Sequence, residues 1–371
     1  MSKHYSYKYS VNLADLLYFL PIMLIKITSI IIFFLTVIVT SQVAGTRSFA
    51  FLNTTTDARQ IALGGKVLTL IDDVDQPKWN PASINIDLDR KLSVNYTSYL
   101  ADISIGSISY AHRFNRHSPT FHSNITYINY GTLIQADEEG NETGTFGASD
   151  VGISFGYAYQ IPNTSISIGA NARLIYSSIA YFSSSAFTVD FGAIYYNIEK
   201  PYIFSVALRN IGTQLSTFNG ISEKIPFEIA IGGSYMLENV PIRLYGTIDN
   251  LQQWNISTAN PSNSISDLEG NITEEEISFL DNAFRHIIIG AELFPKRAVN
   301  LRVGYNFRRG KELQVQNVRT FGGISFGFGL RMNKIKLNYA YSRYHSASNV
   351  STFGLTIDFN KNYRRNISTK Y

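Results

Sequence analysis

The chain has 371 residues, of which 45% are hydrophobic, 13% aromatic and 16% charged, and it contains no cysteine. A charged fraction this low, together with many aromatic residues, argues against a disordered chain, a coiled coil or a helical bundle and favours β-structure. The lack of cysteine excludes disulfides, thiolate metal sites and a cysteine nucleophile. The formal net charge of +4 is small and spread along the chain, so it gives no reason to expect a nucleic-acid partner.

The beginning of the chain has the pattern of an export signal. An apolar run over residues 27–39 follows Lys26 and precedes small and polar residues, which is typical of a secretory signal peptide. We therefore predict that residues 1–41 are a signal peptide. Because this leader is unusually long, we also predict that translation starts at Met23. The alternative is a retained membrane anchor over residues 16–39, although Lys26 interrupts it.

From about residue 91 onward, apolar residues alternate with small or polar residues at a period of two. In residues 151–161, every odd position is apolar, whereas the even positions are glycine, serine, alanine or glutamine. This alternation is typical of a sheet with two unlike faces. About fourteen such segments occur, and an even number is expected for a single-chain outer-membrane barrel. We predict an all-β fold with a transmembrane antiparallel β-barrel over residues 91–360 and a C-terminal tail over residues 361–371.

The connections between these segments alternate between short and long, as periplasmic turns and extracellular loops do. The longest connection, residues 252–283, is rich in Ser, Asn, Asp and Glu and predicts a short helix over residues 274–282. It is the strongest candidate for contact with a partner protein, because loops of this size commonly carry function. The longer predicted loops are 133–146, 213–225, 252–283 and 310–317.

A soluble β-sandwich would show the same alternation, so other features must distinguish it from a membrane barrel. The export signal and the aromatic residues near strand ends favour the outer membrane and contact with its lipid. Lipid also excludes unpaired strand edges, which favours a closed barrel. Finally, the face of small residues includes charges, which suit an aqueous or plugged lumen. The predicted lumen-facing charges are Arg173, Asp190, Arg209, Glu228, Glu292, Arg302, Arg308, Arg331, Lys336 and Asp358.

Residues 42–90 lack this alternation and precede the first long strand. A segment of this size in front of a barrel predicts a hatch, that is, a plug that fills the lumen. Within it, residues 57–63 predict one or two helical turns that end at Gly64 and Gly65. The residue before Pro81 is expected to be extended.

The same segment and the first strands resemble a known family. The similarity is dense over residues 49–112 and general over the rest of the chain. The residues that carry the similarity are Phe51-Leu52, Ala58-Arg59, Ala62-Leu63-Gly64-Gly65, Asp72-Asp73, Asn80-Pro81-Ala82, Leu92-Ser93-Val94-Asn95-Tyr96 and Ala101-Asp102-Ile103. With these residues the sequence resembles the PorV/PorQ group of Bacteroidetes proteins and, within that group, the PorQ branch.

This resemblance implies a FadL-like barrel of fourteen strands with an N-terminal hatch. It also implies a non-enzymatic outer-membrane component of the type IX secretion system. Such a protein would anchor a PorZ-like surface partner involved in cargo attachment and would work with other components of that system. The alternative is a FadL-like transporter of hydrophobic small molecules. The hatch positions carried over from the family are Gly64, Gly65, Asn80, Pro81 and Ala82.

Two stretches match the G-x-S-x-G pattern of serine hydrolases, around Ser154 and Ser325. That chemistry requires a sharp turn from a strand into a helix. Both serines instead lie inside unbroken period-two alternation, where they are expected to face the lumen as ordinary strand residues. A barrel esterase would need a serine–histidine pair on neighbouring strands, so we predict no enzymatic activity.

Two groups of potential metal ligands occur: His112, His117 and His122, and Asp72, Asp73 and Asp75. Both groups lack the spacing of known metal sites. We interpret the histidines as solvated turn residues and the aspartates as solvated hatch residues, and we predict neither a metal nor a cofactor.

Overall fold

The computed structural model describes residues 48–99, 102–115, 118–257, 265–266, 272–273, 277–312, 322–345 and 348–360. The predicted signal peptide, the alternative start at Met23, the tail over residues 361–371 and the turn residue His117 lie outside the described residues. Within the described part of the chain, no helix has the length and apolar character needed to cross a membrane.

Fourteen antiparallel strands of the described chain close into a barrel, which confirms the predicted fold. Two further short strands, β10 and β11, pair only with each other inside the connection between β9 and β12. The strands are β1 (Lys91–Ser98), β2 (Ser104–Arg113), β3 (Thr120–Ala136), β4 (Glu142–Gln160), β5 (Ile166–Ile179), β6 (Phe182–Tyr196), β7 (Tyr202–Ser216), β8 (Glu228–Met236), β9 (Ile242–Ile248), β10 (Ile265–Ser266), β11 (Ile272–Thr273), β12 (Ile287–Leu293), β13 (Val299–Asn306), β14 (Ile324–Met332), β15 (Ile335–His345) and β16 (Ser348–Asp358).

The barrel closes between its first and last strands. β1 pairs with β16 in continuous register from Lys91 opposite Asp358 to Ser98 opposite Ser351. Along β1 the inward side chains are buried and polar, whereas Val94 and Tyr96 are exposed on the outward face. A one-residue shift would turn every apolar side chain inward, so the contrast between the faces specifies the register.

The strands differ greatly in length around the barrel. β3 and β4 contain 17 and 19 residues and project as a hairpin beyond their neighbours. The loop predicted over residues 133–146 is therefore wrong, because β3 continues to Ala136 and β4 begins at Glu142. Residues on both faces of this hairpin tip are exposed. Since water surrounds both faces there, the pairing continues without the alternation that marks a half-buried strand.

The opposite side of the barrel is short, and its connections are long. β9 and β12 contain seven residues each, and the connection between them spans residues 249–286. Two other long connections, 217–227 and 307–323, lie at the same end of the barrel, which we call the long-loop end. The helix predicted over residues 274–282 is displaced: helix α2 spans Phe279–Arg285, and residues 274–276 lie outside the described residues.

The segment before β1 lies inside the barrel. It contains helix α1 (Ala58–Ala62) and the 3₁₀ turns Ala50–Asn53, Gln76–Lys78, Pro81–Ser83 and Ile86–Leu88. Helix α1 packs against β13–β16, whereas the turn at Pro81–Ser83 packs against β4–β6. Contact with strands on opposite sides of the barrel places this segment across the lumen. We call the described part of it, residues 48–90, the hatch.

The hatch runs from one end of the barrel to the other. Ser48 donates a hydrogen bond from its hydroxyl to Glu223 in the connection after β7, at the long-loop end. The amide of Arg90 bonds the carbonyl of Ala111 near the other end of β2. As predicted, a short helix ends before Gly64 and Gly65, which have positive φ. Asp57 caps this helix by accepting the amide of Gln60 at 2.9 Å.

A charged side chain is tolerated on the inner face of the wall but is unfavourable on the outer face, which contacts lipid. Val303 lies near the middle of β13 on the outward face, where 47% of it is exposed. We expect Val303→Arg to lower the free energy of unfolding in lipid vesicles by about 2–4 kcal/mol, because the guanidinium would lie in hydrocarbon. The matched control is Ile134→Arg on the projecting hairpin, which is 61% exposed and expected to stay within about 0.5 kcal/mol. Urea unfolding of both variants tests this, and an equal loss at both positions would contradict the assignment.

Candidate functional site

The hatch backbone lies directly against glycines of the wall. A Cβ atom at Gly290 would lie 2.8 Å from the carbonyl oxygen of Leu63, and one at Gly304 would overlap the amide of Gly64. On the other side of the lumen, a Cβ atom at Gly169 would lie 2.5 Å from the carbonyl of Pro81. These wall positions therefore admit the hatch only because they carry no side chain.

The predicted hatch residues lie at these close approaches. Gly64 and Gly65 have φ of 99° and 124°, which residues with a side chain rarely adopt. Asn80 accepts the amide of Ala82 at 3.0 Å and so closes the turn that begins with Pro81. Its side-chain amide also donates to a wall carbonyl at 3.4 Å. These five residues shape the backbone of the hatch so that it follows the inner surface of the wall.

The first group of ion pairs between hatch and wall centres on Glu292 of β12. This carboxylate accepts hydrogen bonds from Arg59 of the hatch and Arg302 of β13, each at 2.8 Å. The hydroxyl of Tyr245 on β9 donates to it at 2.9 Å. Arg59 also bonds Asp73 at 3.2 Å within the hatch. All these side chains are buried, so the charges are neutralised by one another and not by water.

The second group centres on Glu228 of β8, which is fully buried. Arg209 of β7 donates to this carboxylate at 2.7 Å, and the ammonium of Lys66 of the hatch contacts its other oxygen. Lys66 also pairs with Asp249 at 3.0 Å. The guanidinium of Arg209 lies 4.2 Å from the ring centre of Trp79, a cation–π contact that adds a second link between wall and hatch.

A third buried pair belongs to the wall alone. Arg173 of β5 bonds Asp190 of β6 at 2.7 Å and the side chain of Asn210 at 2.8 Å. Asp190 in turn accepts the amide of Asn210 at 2.7 Å, where β7 has a positive φ of 59° and its register with β6 shifts. The ion pair thus holds a β-bulge in the inner surface of the wall.

The remaining predicted charges lie at the ends of the barrel. Arg331, Lys336 and Asp358 line a polar cleft with Asp72 of the hatch at the end opposite the long loops. Arg308 does not lie on a strand as predicted, because β13 ends at Asn306 and helix α3 spans Phe307–Glu312. The side chain of Asn306 accepts the amide of Arg309 at 3.0 Å and so starts this helix. Arg308 is half-buried and lies 4.0 Å from Glu312.

Sequence reasoning missed the hatch side chains that bind the wall. Arg59, Lys66 and Trp79 are all buried, yet the hatch shows no periodicity that would have indicated their direction. One signal was present, because the charges predicted to face the lumen include Glu228 and Glu292. A plug buried against these acids must carry cations. Arg59 and Lys66 were therefore candidates on charge alone, although their individual partners could not be assigned.

The other candidate residues also have defined positions. Ser154 lies within β4 and Ser325 within β14, so both are strand residues that face inward, as predicted. The interpretation of His122 as a solvated turn residue is wrong, because its buried ring bonds the carbonyl of Val74 at 2.8 Å. Asp73 and Asp75 are also buried, because the polar inner wall supplies partners that water would otherwise provide.

Buried ionisable groups in the hatch have shifted pKa values. Burial raises the pKa of Asp75 to about 6, and the charge of Asp73 adds to the increase, while hydrogen bonds from Ser93 and Asn95 oppose it. Burial lowers the pKa of Lys78 to about 7, and nearby guanidinium groups of the wall contribute. The hatch therefore changes its charge near neutral pH while it stays enclosed by the wall.

Three comparisons with known proteins bear on this arrangement. A family model described as the type IX secretion system protein PorV matches residues 39–239. No curated protein matches the sequence. Among solved structures, the toluene transporter TbuX of Ralstonia pickettii is similar with a TM-score of 0.52 at 12% identity, covering 84% of this chain and 100% of that chain. A mutant of the monoaromatic hydrocarbon channel TodX has a TM-score of 0.49 at 12% identity, covering 83% and 98%. At this identity, the likeness to TbuX shows the fold alone.

The ion pairs at Glu292 predict a large effect of one neutral substitution. We expect Glu292→Gln to lower the free energy of unfolding in vesicles by about 3 kcal/mol, because Arg302 would stay buried without its acid. The control is Glu138→Gln on the exposed hairpin tip, for which a change within about 0.5 kcal/mol is expected. Urea unfolding measures both, and a Glu292→Gln variant as stable as the control would show that the pair does not hold the hatch.

The raised pKa of Asp75 predicts a specific pH dependence. A carboxyl group with a folded pKa of about 6 and an ordinary value of 3.8 stabilises the fold fully below the ordinary value. It loses that stabilisation as the pH rises through about 6. We expect the free energy of unfolding of the wild-type protein to fall by on the order of 2 kcal/mol between about pH 4 and about pH 7, and we expect Asp75→Asn to abolish this fall. Urea unfolding of both proteins across this range measures the difference.

The control for this pH series is Asp137→Asn. Asp137 lies in the exposed hairpin connection, and hydrogen bonds, chiefly from Asn141, lower its pKa. It therefore titrates below the tested range, and its replacement is expected to leave the pH profile unchanged. If Asp75→Asn and wild type showed parallel profiles, the pKa of Asp75 would not be raised.

Proposed function

The chain belongs to the family of the type IX secretion system protein PorV, and from this premise we propose that it anchors a surface partner for that system. The protein is an outer-membrane barrel. We propose a PorZ-like partner that takes part in cargo attachment, held at the long-loop end while the lumen stays closed. In this proposal the protein is not an enzyme and works alongside other components of the secretion system.

The observation that carries this proposal is the closed lumen. Buried ion pairs bind the hatch to the wall at Glu228 and Glu292, and the hatch backbone fills the space above wall glycines. Moving the hatch would separate its cations from both wall carboxylates at once, and leaving buried charges unpaired is unfavourable. A barrel closed in this way is suited to work through its outer surface and loops, because its interior is already occupied by its own chain.

The long-loop end offers the surface for such a partner. The connection over residues 249–286 is the longest in the described barrel, and the hairpin of β3 and β4 projects at the same end. The hairpin tip carries Asp137, Glu138, Glu139 and Glu142, so it is strongly acidic and solvated. We propose that the connection over residues 249–286 contacts the partner, since it is the longest connection at this end.

Within the family we propose the PorQ branch. The support is the run of residues over 49–112 that resembles this branch, including the hatch glycines and Asn80-Pro81-Ala82. The resemblance implies that the PorV branch shuttles cargo from the translocon, whereas the PorQ branch holds PorZ. Purification of the tagged protein from outer membranes distinguishes them, because a PorZ-like protein is expected to copurify and the translocon is not.

The test of function uses the native bacterium. We expect deletion of the gene to remove the PorZ-like partner from the cell surface. Replacement of residues 258–276 by a short Gly-Ser linker is expected to do the same while the barrel still assembles. The measurements are surface immunolabelling of the partner and the heat-dependent gel mobility of the barrel. The matched control is a Gly-Ser replacement of residues 138–140 at the hairpin tip, which should keep the partner on the surface.

Two outcomes would decide against this proposal. If the partner stays on the surface of the deletion strain, the anchor function is wrong. If the deletion strain keeps its partner but takes up fatty acids or toluene more slowly than wild type, the FadL-like transport alternative is correct. If the deletion strain loses the partner but the strain with residues 258–276 replaced keeps it, a surface other than residues 258–276 makes the contact.

A further inference from the structure

One side of the barrel wall is too short to span a bilayer with strands alone. β9 and β12 contain seven residues each, and at a tilt of about 45° such a strand rises only about 16 Å. The apolar band of an outer-membrane barrel is about 25 Å tall. β5, with 14 residues, reaches this height, whereas β9 and β12 are the shortest of the fourteen barrel strands, so the deficit is greatest on their side.

Helix α2 lies directly before β12, on this short side, and its faces are inverted relative to a soluble helix. Phe279, Leu280 and Phe284 are 70%, 67% and 50% exposed. In contrast, Asn282 and Arg285 are buried. Asn282 donates to the carbonyl of Trp254 at 2.5 Å. An exposed apolar face with a buried polar face is unfavourable in water and typical of a surface that contacts something apolar.

The exposed rings of this region are continuous with the outward face of the barrel. Phe284 packs on Phe307 at 5.5 Å between ring centres, and Phe307 packs edge-on against Tyr305 at 4.8 Å. Tyr305 belongs to the outward face of β13 and lies opposite Ile289 of β12. Trp254 stacks on Phe279 at 4.7 Å. These side chains therefore extend the lipid-facing surface of β12 and β13 towards the long-loop end.

We propose that helix α2 and Trp254 form an interfacial lipid anchor that completes the apolar band above β9 and β12. Their aromatic side chains lie in the outer leaflet, and the polar face of α2 turns towards the barrel. Lipid is the occupant because the patch continues the lipid-facing wall and lies where the strands fall short of the bilayer thickness. Trp and Phe at the boundary of the hydrocarbon are the residues expected of such an anchor.

The absence of cysteine from the chain allows single nitroxide labels to test this directly. Leu280→Cys is labelled in the full-length protein and reconstituted in dioleoylphosphatidylcholine vesicles. Val303→Cys on the lipid-facing wall and Ile134→Cys on the projecting hairpin are the controls. Spin relaxation by oxygen, which concentrates in lipid, is compared with relaxation by a water-soluble nickel chelate.

We expect the label at position 280 to behave like the label at position 303, with greater accessibility to oxygen than to the nickel chelate. A label as accessible to the chelate as that at position 134 would overturn the proposal. It would indicate that the patch faces water and serves another occupant, such as a protein partner.

Bilayer thickness supplies a second, independent measurement. The variant Phe279→Ser, Leu280→Ser and Phe284→Ser is compared with Ile134→Ser in dilauroyl and dioleoyl phosphatidylcholine vesicles. We expect the triple variant to lower the urea midpoint in the thicker dioleoyl bilayer and to leave it nearly unchanged in the thinner one. Equal shifts in both bilayers, or no shift in either, would contradict a role in completing the apolar band.

Discussion

Two buried carboxylates, Glu228 and Glu292, are the constraint on which the rest of this molecule depends. Each is fully buried inside the barrel, and an unpaired charge there would be strongly unfavourable. Each is therefore held by one arginine of the wall and one cation of the hatch. The wall alone supplies only one cation for each acid, so its inner surface is complete only when the hatch is in place.

The hatch depends equally on the wall. Its one α-helix contains five residues, which is too short to be stable by itself. Its order comes from the ion pairs, from the ring of Trp79 beneath Arg209, and from glycines that let its backbone approach the strands. Because the same contacts stabilise the plug and neutralise the wall, closure of the lumen is part of the folded structure. The function we propose accordingly lies at the surface.

The rim of the barrel is asymmetric, and its two sides meet different surroundings. On the tall side, the hairpin of β3 and β4 carries acidic residues into water. On the short side, α2 presents Phe279 and Phe284 outward next to strands of seven residues. A single connection, residues 249–286, thus combines an exposed apolar helix with the stretch that we propose contacts the partner.

The sequence by itself determined the barrel and the direction of its strand residues. Lipid outside and a polar lumen inside impose a period of two, so Val303 outward and Glu292 inward could be assigned from alternation alone. Alternation failed where its physical cause was missing: at residues 133–146, where water surrounds both faces of a strand, and at Arg308, where the cap at Asn306 starts a helix. Only the tertiary structure decided the partners in the lumen. Arg59 and Glu292 are 233 positions apart, and their contact depends on the path of the hatch across a closed barrel, which no local pattern encodes.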